Sequence, residues 1–277
     1  MSTVRGLLGL AAGLDSDSAA LDAEVLLCHC LDKPRSWLYT WPEKNVDPAI
    51  EARYRELMAR RAAGHPVAHL TGRRDFWSLE LEVTADTLIP RPDTETLVAW
   101  ALELPLPDIA RVADLGTGSG AIALALATER PRWAVTATDA SAAALAVAGR
   151  NAERLCPGRV RLLEGSWFAP LAGERFDLVV SNPPYVEAGD RHLARGDVRF
   201  EPRSALAAGP EGLDDLSHIA RNAPAYILPG GYLLLEHGCD QGEPVRALLR
   251  QAGFEAVNTR RDLGGLERIT GGRRRAQ

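Results

Sequence analysis

Four cysteines in 277 residues, Cys28, Cys30, Cys156 and Cys239, are too few and too scattered for a disulfide framework. The Cys28-His29-Cys30 triplet lacks a second ligand pair, so no structural zinc or other metal site is expected. These side chains read as buried or inert thiols in a reducing compartment. No apolar run approaches the ~20 residues that a membrane span needs. Basic charge is not in surplus either. The 32 Lys and Arg residues face 37 Asp and Glu, a formal net charge of −5, which argues against an extended nucleic-acid-binding face. Two stretches depart from that balance: residues 51–75, with six arginines against three acids, and the tail Gly-Gly-Arg-Arg-Arg-Ala-Gln. They read as a solvated helix face and a frayed terminus. The first twenty residues hold one arginine and a short apolar stretch. The amphipathic segment ALDAEVLLCHCL that follows needs them as a packing partner, so a cytoplasmic protein is expected rather than a secreted one.

What the chain does have is a core. Apolar residues make up 46% of it, ample for a large domain or a domain plus a smaller module. The first 72 residues read as helices. SAALDAEVLLCHCL places Leu21, Val25, Leu26 and Leu31 at helical spacing, and DPAIEARYRELMARRAAG opens on Asp-Pro and stops at Gly64. Residues 73–92 change to a two-residue period, with Leu79, Leu81 and Val83 alternating against polar neighbours, as in a hairpin linker. In the third part, 93–277, the apolar helix TLVAWALEL follows Pro92 and Asp93. Strands and helices then alternate: ARVADLG, AIALALATER, WAVTATD, SAAALAVAGRNAERL, VRLLEGS, FDLVVSN, LSHIARNAPAYIL, GGYLLLEHG and GEPVRALLRQAG. FEAVNTRRDL and LERIT are able to close the sheet as a pair. The expected fold is α/β: a doubly wound, mainly parallel, Rossmann-like sheet of seven strands, preceded by a small helical domain. Ligands of such sheets bind at the carboxyl ends of the strands, so the residues just after each strand carry the functional argument.

After the first strand of the sheet comes Asp114-Leu-Gly116-Thr117-Gly118-Ser119-Gly120-Ala121. Glycines here let the backbone turn tightly and approach a ligand, and the next helix offers its N-terminal amides. The pattern also satisfies the dinucleotide fingerprint. Asp114 stands outside that fingerprint; it suits a ligand with cationic groups, or it caps the loop. Asp139, at the end of the second strand, suits the ribose hydroxyls of an adenosine, with an N-cap of the next helix as the plainer role. Trp167, after the third strand, either stacks near an adenine or fills the gap below its loop.

After the fourth strand comes Ser181-Asn182-Pro183-Pro184-Tyr185. Two prolines lock two φ angles and remove two N–H donors. Asn182, before a proline, is held extended. The product is a stiff elbow rich in bare acceptors, namely the Asn182 side-chain oxygen and the backbone carbonyls, with the Tyr185 ring beside it. Such an edge fits a planar –NH₂ group. Alone it would be ordinary turn punctuation; after the fourth strand, facing a glycine loop, it reads as a substrate site.

DLGTGSGAIALALA together with SNPPY resembles the class I methyltransferases that use S-adenosylmethionine and methylate a planar amino or amide nitrogen. LIPRPDTE, GDVRFEPRSAL and LLLEHG narrow the resemblance to the peptide chain release factor glutamine methyltransferases (PrmC/HemK), over nearly the whole chain. The resemblance implies that Asp114, Gly116–Gly120 and Asp139 hold S-adenosylmethionine, with Trp167 near its adenine. It implies that Asn182 contacts both cofactor and substrate, and that Asn182, Pro183, Pro184 and Tyr185 bind the glutamine of a Gly-Gly-Gln loop on a release factor. The helical domain is implied to help dock that protein substrate. Related enzymes often carry an acid where this chain has Ser166, so recognition of the adenine amino group is expected to fall to backbone or serine groups. A monomer is expected.

Rival readings differ in substrate or class. The same tetrapeptide serves exocyclic amines of adenine or cytosine, but a flipped base needs a basic face. A glutamine methyltransferase acting on a ribosomal protein is nearer. A binding module without catalysis, or a nicotinamide-dependent reductase, would use the glycine loop but leave the proline elbow unexplained.

Overall fold

A computed structural model describes residues 1–276. Its contacts divide the chain into two compact units, Met1–Arg73 with Arg195–Phe200, and the remainder.

The first unit is helical: α1 (Val4–Leu8), α2 (Ala19–Leu31), α3 (Arg35–Thr40), α4 (Pro48–Ala62) and α5 (Val67–Thr71). Asp47 caps α4 through a 2.8 Å bond from the Ala49 amide, with Pro48 in the first turn. The stripe that α2 buries is Ala23, Leu26, Leu27 and Cys30; of the expected Leu21, Val25, Leu26 and Leu31 only Leu26 belongs to it, and Leu21 is exposed. The reason is Asp22. It is buried, accepts from Arg61, Ser16 and Ser18, and so turns the helix face that holds it inward. Tyr54, Leu57 and Met58 of α4 close the same core.

The second unit begins with a two-stranded hairpin, β1 (Arg73–Phe76) and β2 (Leu79–Glu82), followed by α6 (Glu95–Glu103). Then come β3 (Arg111–Leu115), α7 (Ala121–Glu129), β4 (Ala134–Asp139), α8 (Ala142–Leu155), β5 (Val160–Glu164) and β6 (Phe176–Ser181). The chain ends with α9 (Asp214–Asn222), β7 (Ile227–Glu236), α10 (Gly242–Gln251), β8 (Phe254–Arg261) and β9 (Glu267–Arg274). The sheet has seven strands in the order β5-β4-β3-β6-β7-β9-β8. Neighbours from β5 to β7 are parallel, and β9 runs antiparallel between β7 and β8.

Alternate residues of the strands feed two cores. Val112, Leu178, Val180 and Leu234 face one, where α6 and α7 contribute Trp100 and the wholly apolar run Ala121–Ala127. Ala113, Leu115, Val179, Leu233 and Leu235 face the other, with Leu216 and Ile219 of α9 and Val245 and Leu249 of α10. Strands covered on both faces read as continuous apolar runs, as these do. One boundary departs from expectation. The helix foreseen through LSHIARNAPAYIL stops at Asn222, because Pro224 cannot continue it, and Ile227 already belongs to β7. The strand order reverses on either side of β3, and the cavity described next opens at the carboxyl ends of β3 to β6.

Candidate active site

Four strand ends and the loops after them line one cavity of about 590 Å³. Gly116, Thr117, Gly118 and Ser119 come from the loop after β3, Asp139 and Ser141 from the end of β4, and Ser166 and Trp167 from beyond β5. Asn182 and Pro184 come from beyond β6, and Arg91 and Thr94 from the approach to α6. Asp215 of α9, Pro202 and Ser204 complete the wall.

The glycine loop is shaped by what surrounds it. Gly116 has φ +71°, and a Cβ there would lie 3.1 Å from the Trp167 ring, so the indole packs directly on the backbone. Gly118 has φ +57° with nothing within 4 Å of a Cβ position, and it lines the cavity. Asp139 braces the loop: one carboxylate oxygen accepts from the Gly118 amide at 2.8 Å, the other from the Ser141 amide at 2.9 Å. The N-cap of α8 is Ser141, not Asp139. Asp139 thus lines the cavity with its position fixed by backbone donors.

Four expected residues lie outside the cavity lining. Asp114 is fully buried beneath the loop, accepting from the Thr117 hydroxyl at 2.6 Å and the Ala123 amide at 3.2 Å. These two bonds are those of the loop-capping alternative. Burial pushes its carboxyl up to about 7, against the pull of those two hydrogen bonds. Gly120 is the residue before α7 and meets Leu124. Pro183 is buried. Tyr185 is half-buried against the second core, its hydroxyl 3.3 Å from Glu236. The ring expected beside the elbow's acceptors thus packs against the second core, outside the cavity lining. Burial, with Glu236 adding to it, pushes the Tyr185 phenol well above its ordinary value.

Sequence reasoning passed over several residues that the fold brings here. Thr94 accepts from the Asn182 side-chain nitrogen at 3.2 Å, with the Asn182 oxygen left for the cavity. Arg91 pairs with the fully buried Glu201, which also accepts from the Ile89 amide at 2.8 Å. Asn151, buried on α8, donates to the Ser119 carbonyl at 3.0 Å and exchanges bonds with Glu82 at 2.7 and 2.9 Å, tying the glycine loop to β2. The quoted stretches LIPRPDTE and GDVRFEPRSAL contain Thr94, Arg91 and Glu201, but nothing local in them shows that these residues meet here. All four cysteines are free thiols: Cys30 and Cys156 are buried, Cys28 is half-buried and Cys239 is exposed. Among the described residues no cluster of three or more His, Cys, Asp or Glu side chains is arranged to hold a metal. Nor is any helix among the described residues long and apolar enough to cross a membrane.

Known proteins carry the same pattern at length. A protein from Pseudomonas aeruginosa described as a release factor glutamine methyltransferase is 54% identical over 98% of this chain and 98% of its own. This chain belongs to the release factor glutamine methyltransferase family. A relative with the same description from Vibrio cholerae is 52% identical over 92% of this chain and 90% of its own. A family model described as the PrmC N-terminal domain matches residues 10–72, and one described as the methyltransferase small domain matches 94–198. Among solved structures, a methyltransferase from Pyrococcus furiosus has a TM-score of 0.55 at 19% identity, covering 79% of this chain and 98% of that one. That likeness concerns the fold, and it agrees with the Rossmann-like seven-stranded sheet described above.

Proposed function

We propose that this protein transfers a methyl group from S-adenosylmethionine to the side-chain amide nitrogen of a glutamine in a peptide chain release factor, within a Gly-Gly-Gln loop. The observation that carries the reading is the donor-free elbow Asn182-Pro183-Pro184, two of whose residues share one cavity with the glycine loop and Asp139. Identity of 54% over the full length to a protein so described supports it.

The residues suit that cofactor. The free volume over Gly118 leaves room for a ligand against the backbone. Asp139 offers a carboxylate to ribose hydroxyls, and Trp167 and Ser166 flank the space an adenine would take. When bound, S-adenosylmethionine supplies a methyl carbon already activated by its sulfonium.

The chain's own task is positioning. An amide nitrogen is a poor nucleophile, because its lone pair is delocalised into the carbonyl. The Asn182 oxygen accepts one N–H of the substrate amide, and the elbow's backbone carbonyls accept the other, holding the nitrogen in line. The same acceptors stabilise the positive charge that grows on nitrogen. Pro183 and Pro184 present no competing N–H. Tyr185 stiffens the elbow from behind rather than stacking on the substrate. The helical unit is the candidate docking module for the release factor.

The test is incubation with isotope-labelled S-adenosylmethionine and a purified release factor, followed by peptide mass spectrometry. A methyl on the glutamine of Gly-Gly-Gln is the expected result. Label on a ribosomal protein or on nucleic acid, or none at all, replaces this reading with a rival.

A further inference from the structure

We propose that Arg91 takes the α-carboxylate of S-adenosylmethionine, with Glu201 holding its guanidinium from behind. The inference rests on the cofactor reading given above and deepens it by naming the residue that grips the methionine end.

Charge is the first reason. Among the described residues that line the cavity, Arg91 is the only Lys, Arg or His. The lining acids are Asp86, Asp139 and Asp215, and none of them forms an ion pair with it. The cofactor carries one anionic group, the carboxylate of its methionine part. The side chain of a glutamine substrate carries none. The single cation of the wall thus has a single anionic counterpart among the proposed ligands.

Place agrees with charge. The Thr94 amide donates to the Arg91 carbonyl at 3.2 Å, and the Thr94 hydroxyl accepts from Asn182 at 3.2 Å. Arg91 therefore joins the cavity wall on the Asn182 side. The residues suited to adenine and ribose, Ser166, Trp167 and Asp139, come from beyond β5 and from the end of β4. In the sheet, β4 and β5 lie on one side of β3, and β6, which leads to Asn182, lies on the other. Along the cofactor the order is adenine, ribose, sulfonium, carboxylate. With the first two at β4 and β5 and the third beside Asn182, the fourth is left for the Asn182 side.

The side chain is also preorganised. Arg91 Nη2 donates to Glu201, whose side chain is wholly buried and whose other oxygen accepts from the Ile89 amide at 2.8 Å. Glu201 does not itself line the cavity. A guanidinium has five N–H donors in a fixed fork. This one makes no other hydrogen bond among the described residues, and a third of the side chain is open, at 33% exposure. The donors that remain match the geometry of a carboxylate.

The test is calorimetric binding of three ligands. They are S-adenosylmethionine, its decarboxylated form, which lacks only the carboxylate, and 5′-methylthioadenosine, which lacks the whole amino-acid end. Wild type should bind S-adenosylmethionine about ten- to a hundred-fold more tightly than the decarboxylated form, the scale of one charge-assisted hydrogen bond. In Arg91→Gln that preference should shrink to about two-fold or less, with methylthioadenosine bound as in wild type. Arg91→Gln strands the buried Glu201 carboxylate, so Arg91→Gln/Glu201→Gln, which strands no charge, is measured beside it. It should lose the preference as well, and it decides the matter if Arg91→Gln binds no methylthioadenosine. Glu201→Gln keeps the cation but weakens its anchor, and should show an intermediate preference. A residue that merely neutralised Glu201 would alter stability and leave the preference alone. Equal binding of the two methionine-derived ligands by wild type, or a full preference in a folded Arg91 variant, overturns the proposal. A wild-type preference in Glu201→Gln overturns the part given to Glu201. If the expected preferences are found and no release factor is methylated, the substrate reading fails and this proposal stands.

Discussion

Among the described residues the Asn182 side-chain oxygen has no hydrogen-bond partner, while its nitrogen is tied to Thr94. Replacing it by alanine removes that acceptor and leaves the proline-locked backbone in place. Asn182→Ala should therefore slow methyl transfer by about 100-fold, the scale of one preorganised hydrogen-bond partner at a developing charge. The midpoint of thermal unfolding should stay within a degree or two of wild type; activity assay and calorimetry on the same sample check both. Asp114 works differently, as a buried acid holding the glycine loop. Its carboxyl sits near 7 when folded, against an ordinary value of 3.8. The folded state thus binds that proton more tightly than the unfolded one. The stability this contributes is full below the ordinary value and is lost as pH rises through about 7. Asp114→Asn cannot ionise, so the fall in melting temperature between about pH 5 and pH 8 should be smaller than in wild type. Thermal melts at the two pH values read the difference; Glu236, shifted the same way, keeps it from vanishing.

At the scale of elements, the apolar runs of β3, β6 and β7 and the run Ala121–Ala127 of α7 announce themselves, because segments covered on every side carry no polar face. The antiparallel β9 was legible only as a possible closing strand. Its place between β7 and β8 depends on two glycines. A Cβ at Gly271 would lie 2.5 Å from Leu234 and 2.8 Å from Trp100, and one at Gly272 2.9 Å from Phe254. The bare backbone lets β7, α6 and β8 close onto β9. Gly271→Ala should overpack this junction and destabilise the second unit by about 2 kcal/mol, read as a lower denaturant midpoint. Equal stability would mean that Trp100 swings aside at no cost.

For the molecule as a whole, the chain belongs to the helical unit twice, at Met1–Arg73 and again at Arg195–Phe200. Arg61 holds the return. Its guanidinium is nearly buried and bonds Asp22 and Asp197, both at 2.7 Å. Arg199 adds a bond to the Ala63 carbonyl at 2.6 Å, and the His65 and Phe200 rings lie 4.3 Å apart. Arg61→Ala strands the buried Asp22, so it should cost about 3 kcal/mol and expose 195–200 to trypsin at Arg195 and Arg199. Limited proteolysis checks this, and an unchanged digestion pattern refutes it. By itself the sequence determined the order of strands and helices, the glycine loop and the proline elbow, because periodicity, φ > 0 and missing N–H groups are local properties of the chain. Tertiary structure alone decided that Asp114 lies buried beneath the loop and accepts from Thr117 and Ala123. It also turned the Tyr185 hydroxyl to Glu236 and joined Thr94 to Asn182. Those outcomes depend on which side chain's proton reaches which buried acceptor, and on groups 51 to 88 residues apart that only the closed sheet brings together.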